Sequence, residues 1–214
     1  MIIAPSILNA DFGNLQREIT MLNDSLADWI HVDVMDGVFV PNLSYGFPIM
    51  KTLKEYAKKP LDVHLMIVNP EQYVERFVEA GASGITVQYE ACSHLHRVIE
   101  QIKNTGAKAC VAINPHTIPT LLEEVIGMLD MALVMSVNPG FGGQKFIDST
   151  LDKVSRTKEI ILKKKSNALI EVDGGIDLHN ASKLKVAGAD VLVVGSSVFT
   201  ASDPMEEMAA LKAV

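Results

Sequence analysis

Eight short apolar runs rich in β-branched residues recur along the chain, separated by segments in which apolar residues return every three or four positions. The runs are IIAPSIL, WIHVDV, LDVHLMI, GITVQY, KACVAI, MALVMSV, ALIEVD and VLVVGS. The intervening segments, which we interpret as helices, include LQREITMLND, EQYVERFVEAG, HLHRVIEQIKNTG, TLLEEVIGML and ASKLKVAGA. Glycines at 81, 106 and 188 follow three of them, as expected of residues that end helices. The pattern predicts repeated strand–helix units.

Strands that alternate with helices require a parallel sheet, which places the chain in the α/β class. Eight such units in 214 residues fit a compact (β/α)8 barrel, the TIM barrel, with residues 1–214 forming a single domain. The main rival is an open, doubly wound sheet. The first strand of that fold often leads into a G-x-G-x-x-G turn, whereas SILNADFGN stands here. Polar residues at the ends of several different strands also favour the barrel.

The charge balance disfavours two classes of partner. A formal net charge of −7 and a sequence pI near 5.3 argue against binding to nucleic acid or to an anionic membrane. The chain shows no basic leader and no apolar window of the roughly 20 residues that a membrane span needs, so we expect a cytoplasmic protein. Cys92 and Cys110 lack metal-type spacing and are expected to be reduced structural thiols.

The second run contains polar residues where a buried strand would favour Val or Ile. Residues two apart on a strand share a face, so His31, Asp33 and Met35 should point together into the barrel. They would lie near the C-terminal end of the strand, where such barrels place their active sites. Taken alone, an H-x-D pattern fits a buried hydrogen-bonded pair as well as a functional site.

Two further strand ends supply similar groups. The third run places His64 at the matching height, and the seventh delivers Asp173 immediately before two glycines. Two imidazoles and two carboxylates suit one divalent metal ion per subunit, Zn²⁺ first, with Fe²⁺, Mn²⁺ and Co²⁺ also compatible. The alternative is a buried His/Asp hydrogen-bond network. We favour the metal because burying four such groups without a cation would cost several kcal/mol.

Glycine-rich turns follow the last three strands. NPGFGGQKF spans residues 138–146, DGGI follows the seventh strand and GSSVF follows the eighth. Glycine lets backbone N–H groups approach a ligand closely, and the last two turns are the usual phosphate site of these barrels. Each turn alone fits an ordinary tight connection. The three together predict a phosphorylated substrate.

The motifs APSILNADF, HVDVMDGVFVPN, VHLMI, VNPGFGGQKF and EVDGGI resemble, in order and spacing, those of the ribulose-phosphate 3-epimerase family. The likeness runs from Ala4 to about Phe199 and implies a (β/α)8 barrel that interconverts D-ribulose 5-phosphate and D-xylulose 5-phosphate in the pentose phosphate pathway. It implies a metal site and an acid/base pair of two aspartates. The corresponding metal ligands are His31, Asp33, His64 and Asp173, of which Asp33 and Asp173 are the acid/base pair. The corresponding substrate-binding residues are Ser6, Met35, His64, Met66, Met135, Gly140, Phe141, Gly142, Gly143, Gly174, Gly175, Gly195 and Ser196.

Chemistry supports this assignment. Inverting a carbon next to a carbonyl removes a proton from one face and returns a proton to the other, which two carboxylates on opposite sides can do. A bound metal would stabilise the negative charge that develops on the enediolate. We therefore expect a phosphorylated ketose substrate, no nucleic-acid or membrane partner, and self-association into a homo-oligomer.

Two segments depart from the family pattern. Gln88 stands where a histidine is expected, and NLSYGFP differs from the more usual threonine and phenylalanine before the glycine. We expect neither to touch the proposed ligands, although either could shift preference toward a six-carbon substrate such as allulose 6-phosphate. A lyase or decarboxylase of the related phosphate-binding barrels is a further alternative, but the lysine it typically needs beside a strand-end aspartate is missing. The last alternative is a non-catalytic metal- or phosphate-binding barrel.

Overall fold

The computed structural model describes all residues from Met1 to Val214 and confirms the (β/α)8 barrel. Eight strands form one sheet in the order β1-β8-β7-β6-β5-β4-β3-β2, and all neighbouring strands are parallel. The strands are β1 (Ile2–Pro5), β2 (Ile30–Met35), β3 (Leu61–Met66), β4 (Ala82–Gln88), β5 (Lys108–Ile113), β6 (Met131–Met135), β7 (Leu169–Asp173) and β8 (Val191–Val194).

Helices cover the outside of the sheet. They are α1 (Leu15–Asp24), α2 (Phe47–Tyr56), α3 (Val74–Glu79), α4 (Leu95–Asn104), α5 (Thr150–Lys163), α6 (Leu178–Ala187), α7 (Ser196–Phe199) and α8 (Pro204–Ala213). No helix is both long enough and apolar enough to cross a lipid bilayer. Glycines at 81, 106 and 188 follow α3, α4 and α6 with positive φ angles, as predicted for residues that end helices.

One of the helices predicted from the sequence does not form. The segment TLLEEVIGML, between β5 and β6, forms two short 3-10 turns, Pro119–Leu122 and Ile126–Met128, instead of an α-helix. Gly127 and β-branched residues lower its helix propensity. Leu122 and Ile126 are nonetheless fully buried, so their spacing reflects burial against the sheet.

Successive strand residues face opposite sides of the sheet. In β2, Ile30, Val32 and Val34 belong to the main apolar core between sheet and helices. The residues between them, His31, Asp33 and Met35, are also buried but face the barrel interior. The predicted alternation in this strand is confirmed.

The barrel interior is built in layers set by strand register. At its N-terminal end lies a small apolar cluster that includes Cys110 and Met131. Register pairs on β2 and β3 then define three layers toward the C-terminal end: His31 with Asp62, Asp33 with His64, and Met35 with Met66. The first two of these layers therefore lie between the apolar N-terminal end and the methionine layer at the C-terminal mouth.

The seam between β1 and β2 lacks a continuous ladder of hydrogen bonds. At one end the N–H groups of Asp28 and Trp29 donate to the carbonyl oxygen of Ile3, at 2.8 and 3.4 Å. At the other end a single bridge joins Ser6 to His31. The barrel thus closes beside His31.

Candidate active site

Four predicted residues converge at the C-terminal end of the barrel. His31 and Asp33 lie on β2, His64 on β3 and Asp173 at the end of β7. One ligand atom from each lies within 4.8 Å of the corresponding atom of the others. Oδ1 of Asp33 is 3.3 Å from Nε2 of His31 and 3.5 Å from Nδ1 of His64. The spacing is compact enough for one cation to contact all four side chains.

His31 is oriented by a residue that the sequence interpretation missed. Nδ1 of His31 lies 2.7 Å from Oδ2 of Asp62, and both residues are buried. An Nδ1–H that donates to this carboxylate directs the opposite ring nitrogen, Nε2, at Asp33. The pattern D-x-H in β3, which mirrors H-x-D in β2, is the signal that could have identified Asp62.

His64 meets the side-chain amide of Gln88. Nε2 of His64 lies 3.0 Å from Nε2 of Gln88, while Oε1 of Gln88 has no hydrogen-bond partner. The expectation that Gln88 avoids the proposed ligands is therefore wrong. A half-turn of the amide would direct its oxygen at the ring, so that Nε2–H of His64 donates and Nδ1 is free to bind a cation.

The second departure from the family pattern also reaches the site. The hydroxyl of Ser44 donates to the carbonyl oxygen of Asp33 at 2.7 Å and accepts from the N–H of Met35 at 2.9 Å. The hydroxyl of Tyr45 accepts from the N–H of Asp33 at 3.1 Å. These contacts hold the end of β2 at Asp33, because the loop after β2 folds back along the strand.

Two ring nitrogens at the centre are unsatisfied. Nε2 of His31 and Nδ1 of His64 are buried and have no hydrogen-bond partner. Leaving a buried polar atom unpaired costs about 1–3 kcal/mol. Both nitrogens face Oδ1 of Asp33. The other carboxylate oxygen of Asp33, Oδ2, accepts a hydrogen bond from Oγ of Ser6 at 2.5 Å. Two imidazole nitrogens beside two carboxylates match the donor set of a divalent metal site.

The two aspartates differ electrostatically. Burial alone would raise the pKa of Asp33, but the adjacent His31 and His64 rings outweigh it and hold the pKa well below its usual value. Burial, with a smaller contribution from the Asp33 charge, raises the pKa of Asp173 to about 6. One carboxyl is thus held ionised, while the other binds a proton more readily.

Glu171 lies below these residues, entirely buried on β7. Its Oε1 is 3.9 Å from Nδ1 of His31, and neither carboxyl oxygen has a hydrogen-bond partner. Burial and the neighbouring Asp62 raise the pKa of Glu171 well above its usual range. It therefore binds a proton more readily than an exposed glutamate does, in the barrel interior beneath the site.

A cleft opens above the four residues. Asp33 and Asp173 line it, whereas His31 and His64 are fully buried beneath it. The predicted substrate residues found in its lining are Ser6, Met35, Met66, Met135, Gly140, Phe141, Gly142, Gly143, Gly174, Gly175, Gly195 and Ser196. The structure thus brings the predicted residues to one place.

The turn after β7 requires glycine at position 174. Gly174 has φ 120°, and a Cβ there would overlap the side chain of Val137. The hydroxyl of Ser136 donates to the carbonyl oxygens of Asp173 and Gly174, at 2.8 and 2.6 Å. The loops after β6 and β7 are therefore joined next to the catalytic candidate Asp173.

Comparison with known proteins identifies the family. The model of the "Ribulose-phosphate 3 epimerase family" matches residues 2–199. The chain belongs to the ribulose-phosphate 3-epimerase family. A chloroplastic ribulose-5-phosphate-3-epimerase of Arabidopsis thaliana is 48% identical over all of this chain and 76% of its own length. A ribulose-phosphate 3-epimerase of Bacillus subtilis is 50% identical over 94% of this chain and 93% of its own length.

Membership in the ribulose-phosphate 3-epimerase family makes the chain an enzyme, a carbohydrate epimerase. Solved structures with lower identity show the fold alone. A 3-hexulose-6-phosphate synthase superimposes with a TM-score of 0.73 at 17% identity, covering 100% of this chain and 99% of the other. An orotidine 5'-phosphate decarboxylase from Pyrococcus horikoshii gives a TM-score of 0.70 at 16% identity, covering 98% and 97%. The barrel is shared across different chemistries.

Proposed function

We propose that this epimerase is metal-dependent and interconverts D-ribulose 5-phosphate and D-xylulose 5-phosphate by proton transfer at C3. The observation that carries the proposal is the convergence of Asp33 and Asp173 on one cleft, beside the unpaired nitrogens of His31 and His64. The names of the relatives supply the sugar phosphate.

The metal would be held by Nε2 of His31, Nδ1 of His64 and one oxygen from each aspartate. A divalent cation there supplies Lewis-acid stabilisation of negative charge on the substrate oxygens. Mixed nitrogen and oxygen ligands in a four-residue set favour Zn²⁺, with Fe²⁺, Mn²⁺ and Co²⁺ as alternatives. Asp62 and Gln88 would orient the two rings from behind.

Proton transfer is assigned to the two carboxylates. Asp33 on β2 and Asp173 on β7 approach the cleft from non-adjacent strands, so a sugar between them presents one face of C3 to each. Asp33 removes the proton from one face, Asp173 returns a proton to the other, and the roles exchange in the reverse direction.

Three methionines line the cleft in which the reacting carbon would lie. Met35, Met66 and Met135 line the cleft at the ends of three strands. Thioether side chains have no acidic hydrogen, so they exclude water without protonating the enediolate. The nearby carboxyl groups are then the proton donors of the site.

The phosphate of the substrate is assigned to the glycine-rich loops after β6, β7 and β8. Their glycines and Ser196 line the same cleft. Backbone N–H groups that glycine leaves accessible bind phosphate oxygens well. A lyase of the related barrels is disfavoured because no lysine lines the cleft.

The decisive experiment is to incubate the metal-loaded protein with ribulose 5-phosphate in deuterated water. We expect xylulose 5-phosphate to form and solvent deuterium to enter C3. Turnover without deuterium at C3 would contradict the proton-transfer mechanism. Absence of turnover with ribulose 5-phosphate, together with turnover of allulose 6-phosphate, would assign the enzyme to a six-carbon substrate instead.

Three further assignments stay predictions: the choice of zinc, assembly into a homo-oligomer and a cytoplasmic location. Elemental analysis of protein purified without added metal tests the first. Sedimentation equilibrium tests the second, with a monomer mass of 23.3 kDa as the reference. Localisation of the tagged protein in its source cells tests the third.

A further inference from the structure

Asn9 lies in the candidate cleft with a side chain that the proposed reaction has not used. It ends the 3-10 turn Ile7–Asn9, which follows β1. Its backbone N–H donates to the carbonyl oxygen of Ser6 at 3.4 Å, but its side-chain amide makes no hydrogen bond within the protein. The amide therefore has two N–H donors and one acceptor oxygen available in the cleft.

The amide of Asn9 fills the space next to two glycines from different loops. A Cβ at Gly142, in the loop after β6, would lie 2.8 Å from both Nδ2 and Oδ1 of Asn9. A Cβ at Gly195, after β8, would overlap Oδ1 of the same side chain. The side chain of Asn9 thus lies next to both loops.

Neither glycine has the left-handed backbone that most often requires this residue. Gly195 has φ −114°, and Gly142 is not among the residues with positive φ. The side chain of Asn9 is what an added Cβ would meet first at both positions. Gly143 differs, because it has φ 70° and a Cβ added there would meet no atom within 4 Å.

The cleft also lacks a basic side chain that could bind an anionic ligand. Neither lysine nor arginine lines it, so a phosphate there must be bound by neutral donors. The amide of Gln144 already donates to the carbonyl oxygens of Asn138 and Phe141, at 2.7 and 2.8 Å. Asn9 is therefore the side-chain amide of the cleft whose N–H groups are not already used.

We propose that Asn9 binds the phosphate of the substrate through its side-chain N–H groups and sets the separation of the loops that contain Gly142 and Gly195. This inference rests on the proposed function, since it takes the ligand of the cleft to be phosphorylated. It makes the first βα turn part of the phosphate site, together with the loops after β6 and β8.

The first test is the binding of inorganic phosphate to wild-type protein, Asn9→Ala and Asn9→Asp, measured by isothermal titration calorimetry. Loss of a hydrogen bond to a charged group should weaken phosphate binding by about ten- to a hundredfold in Asn9→Ala. Asn9→Asp keeps the shape but adds a negative charge, so its binding should be weaker still. With ribulose 5-phosphate, KM should rise by a similar factor while kcat changes less than about threefold.

The second test is a double-mutant cycle. Gly195→Ala should weaken phosphate binding by a clearly larger factor in the wild-type background than in Asn9→Ala, because the obstructing amide is gone in the second background. Gly143→Ala is the matched control. Its penalty comes from backbone conformation and should be the same in both backgrounds.

These outcomes separate the inference from the proposed reaction. If the wild-type protein binds phosphate but does not epimerise ribulose 5-phosphate, the proposed reaction is contradicted. The effect of Asn9→Ala on the affinity for phosphate still decides the inference about Asn9. Equal phosphate binding by wild type and Asn9→Ala, or no phosphate binding at all, overturns it. So does a Gly195→Ala penalty that is unchanged in the Asn9→Ala background.

Discussion

Nδ1 of His31 lies 2.7 Å from Oδ2 of Asp62, and this contact directs the opposite ring nitrogen at Asp33. Replacing Asp62 by Asn removes the charge that makes the ring a stronger ligand while preserving the shape of the side chain. We expect Asp62→Asn to bind Zn²⁺ about ten- to a hundredfold more weakly. Competition with a chromogenic chelator measures the affinity.

The control for this experiment is Asp152→Asn. Asp152 lies on α5 with 74% of its side chain exposed, where it pairs only with Arg156. Zinc affinity should be unchanged in this variant. An equal loss of affinity in both variants would mean that overall charge, rather than the orientation of His31, controls binding.

Gln88 should influence the metal through His64. In Gln88→Leu the ring loses its only side-chain partner at Nε2, so the ring orientation relaxes and zinc affinity falls by about tenfold. Gln88→Glu keeps an oxygen that can accept from Nε2–H and should retain affinity within a few-fold. If Leu and Glu at this position give the same affinity, the amide oxygen plays no part in orienting His64.

Asp173→Asn and Asp33→Asn test the two-carboxylate mechanism. Each substitution preserves the volume of the side chain but removes the group that accepts or returns the proton. We expect kcat to fall by about 10²- to 10⁴-fold in each variant, together with loss of deuterium incorporation at C3. Circular dichroism establishes that the variants are folded. Unchanged turnover in either variant would exclude that carboxylate as a proton-transfer group.

We expect the ionisation of Asp36 to make the free energy of unfolding depend on pH, independently of the metal. Its carboxylate accepts the N–H groups of Val38, Phe39 and Val68, each at 2.8 Å. Burial would raise the pKa of Asp36, but these hydrogen bonds outweigh it and lower the pKa below 3.8. The folded protein therefore binds a proton less readily than the unfolded chain, and the stabilisation is present above pH 3.8.

We expect Asp36→Asn to lower the free energy of unfolding by about 1–2 kcal/mol at pH 7. The difference from wild type should shrink as pH falls through the lowered pKa of Asp36, because the wild-type carboxylate then becomes protonated. Urea unfolding of both proteins at pH 7 and near pH 3 measures this difference in the free energy of unfolding. A difference that stays constant over this range would show that ionisation of Asp36 does not contribute.

The sequence predicted the barrel and the central residues because both depend on local periodicity. Alternation with period two places His31 and Asp33 on one face of a strand. Parallel strands then bring their carboxyl ends together, which is sufficient to group these residues with His64 and Asp173.

Local periodicity does not predict the contacts that support the site from behind. Asp62 meets His31 only through the register of β2 against β3, and Gln88 meets His64 across the next pair of strands. Ser44 and Tyr45 reach Asp33 because the loop after β2 folds back along the strand, and no periodicity encodes that path. Side-chain contacts between elements depend on tertiary packing.

The incomplete seam between β1 and β2 shares residues with the candidate site. β1 pairs along its length with β8, and β2 with β3, so the two strands are the free margins of the sheet until the ring is closed. Their joint at Ser6 and His31 also delivers the Ser6 hydroxyl to Asp33. Without this joint the sheet would keep its seven parallel strand pairs, but Asp33 would lose the Ser6 hydroxyl, so the same contact that closes the barrel also supports a central residue of the candidate site.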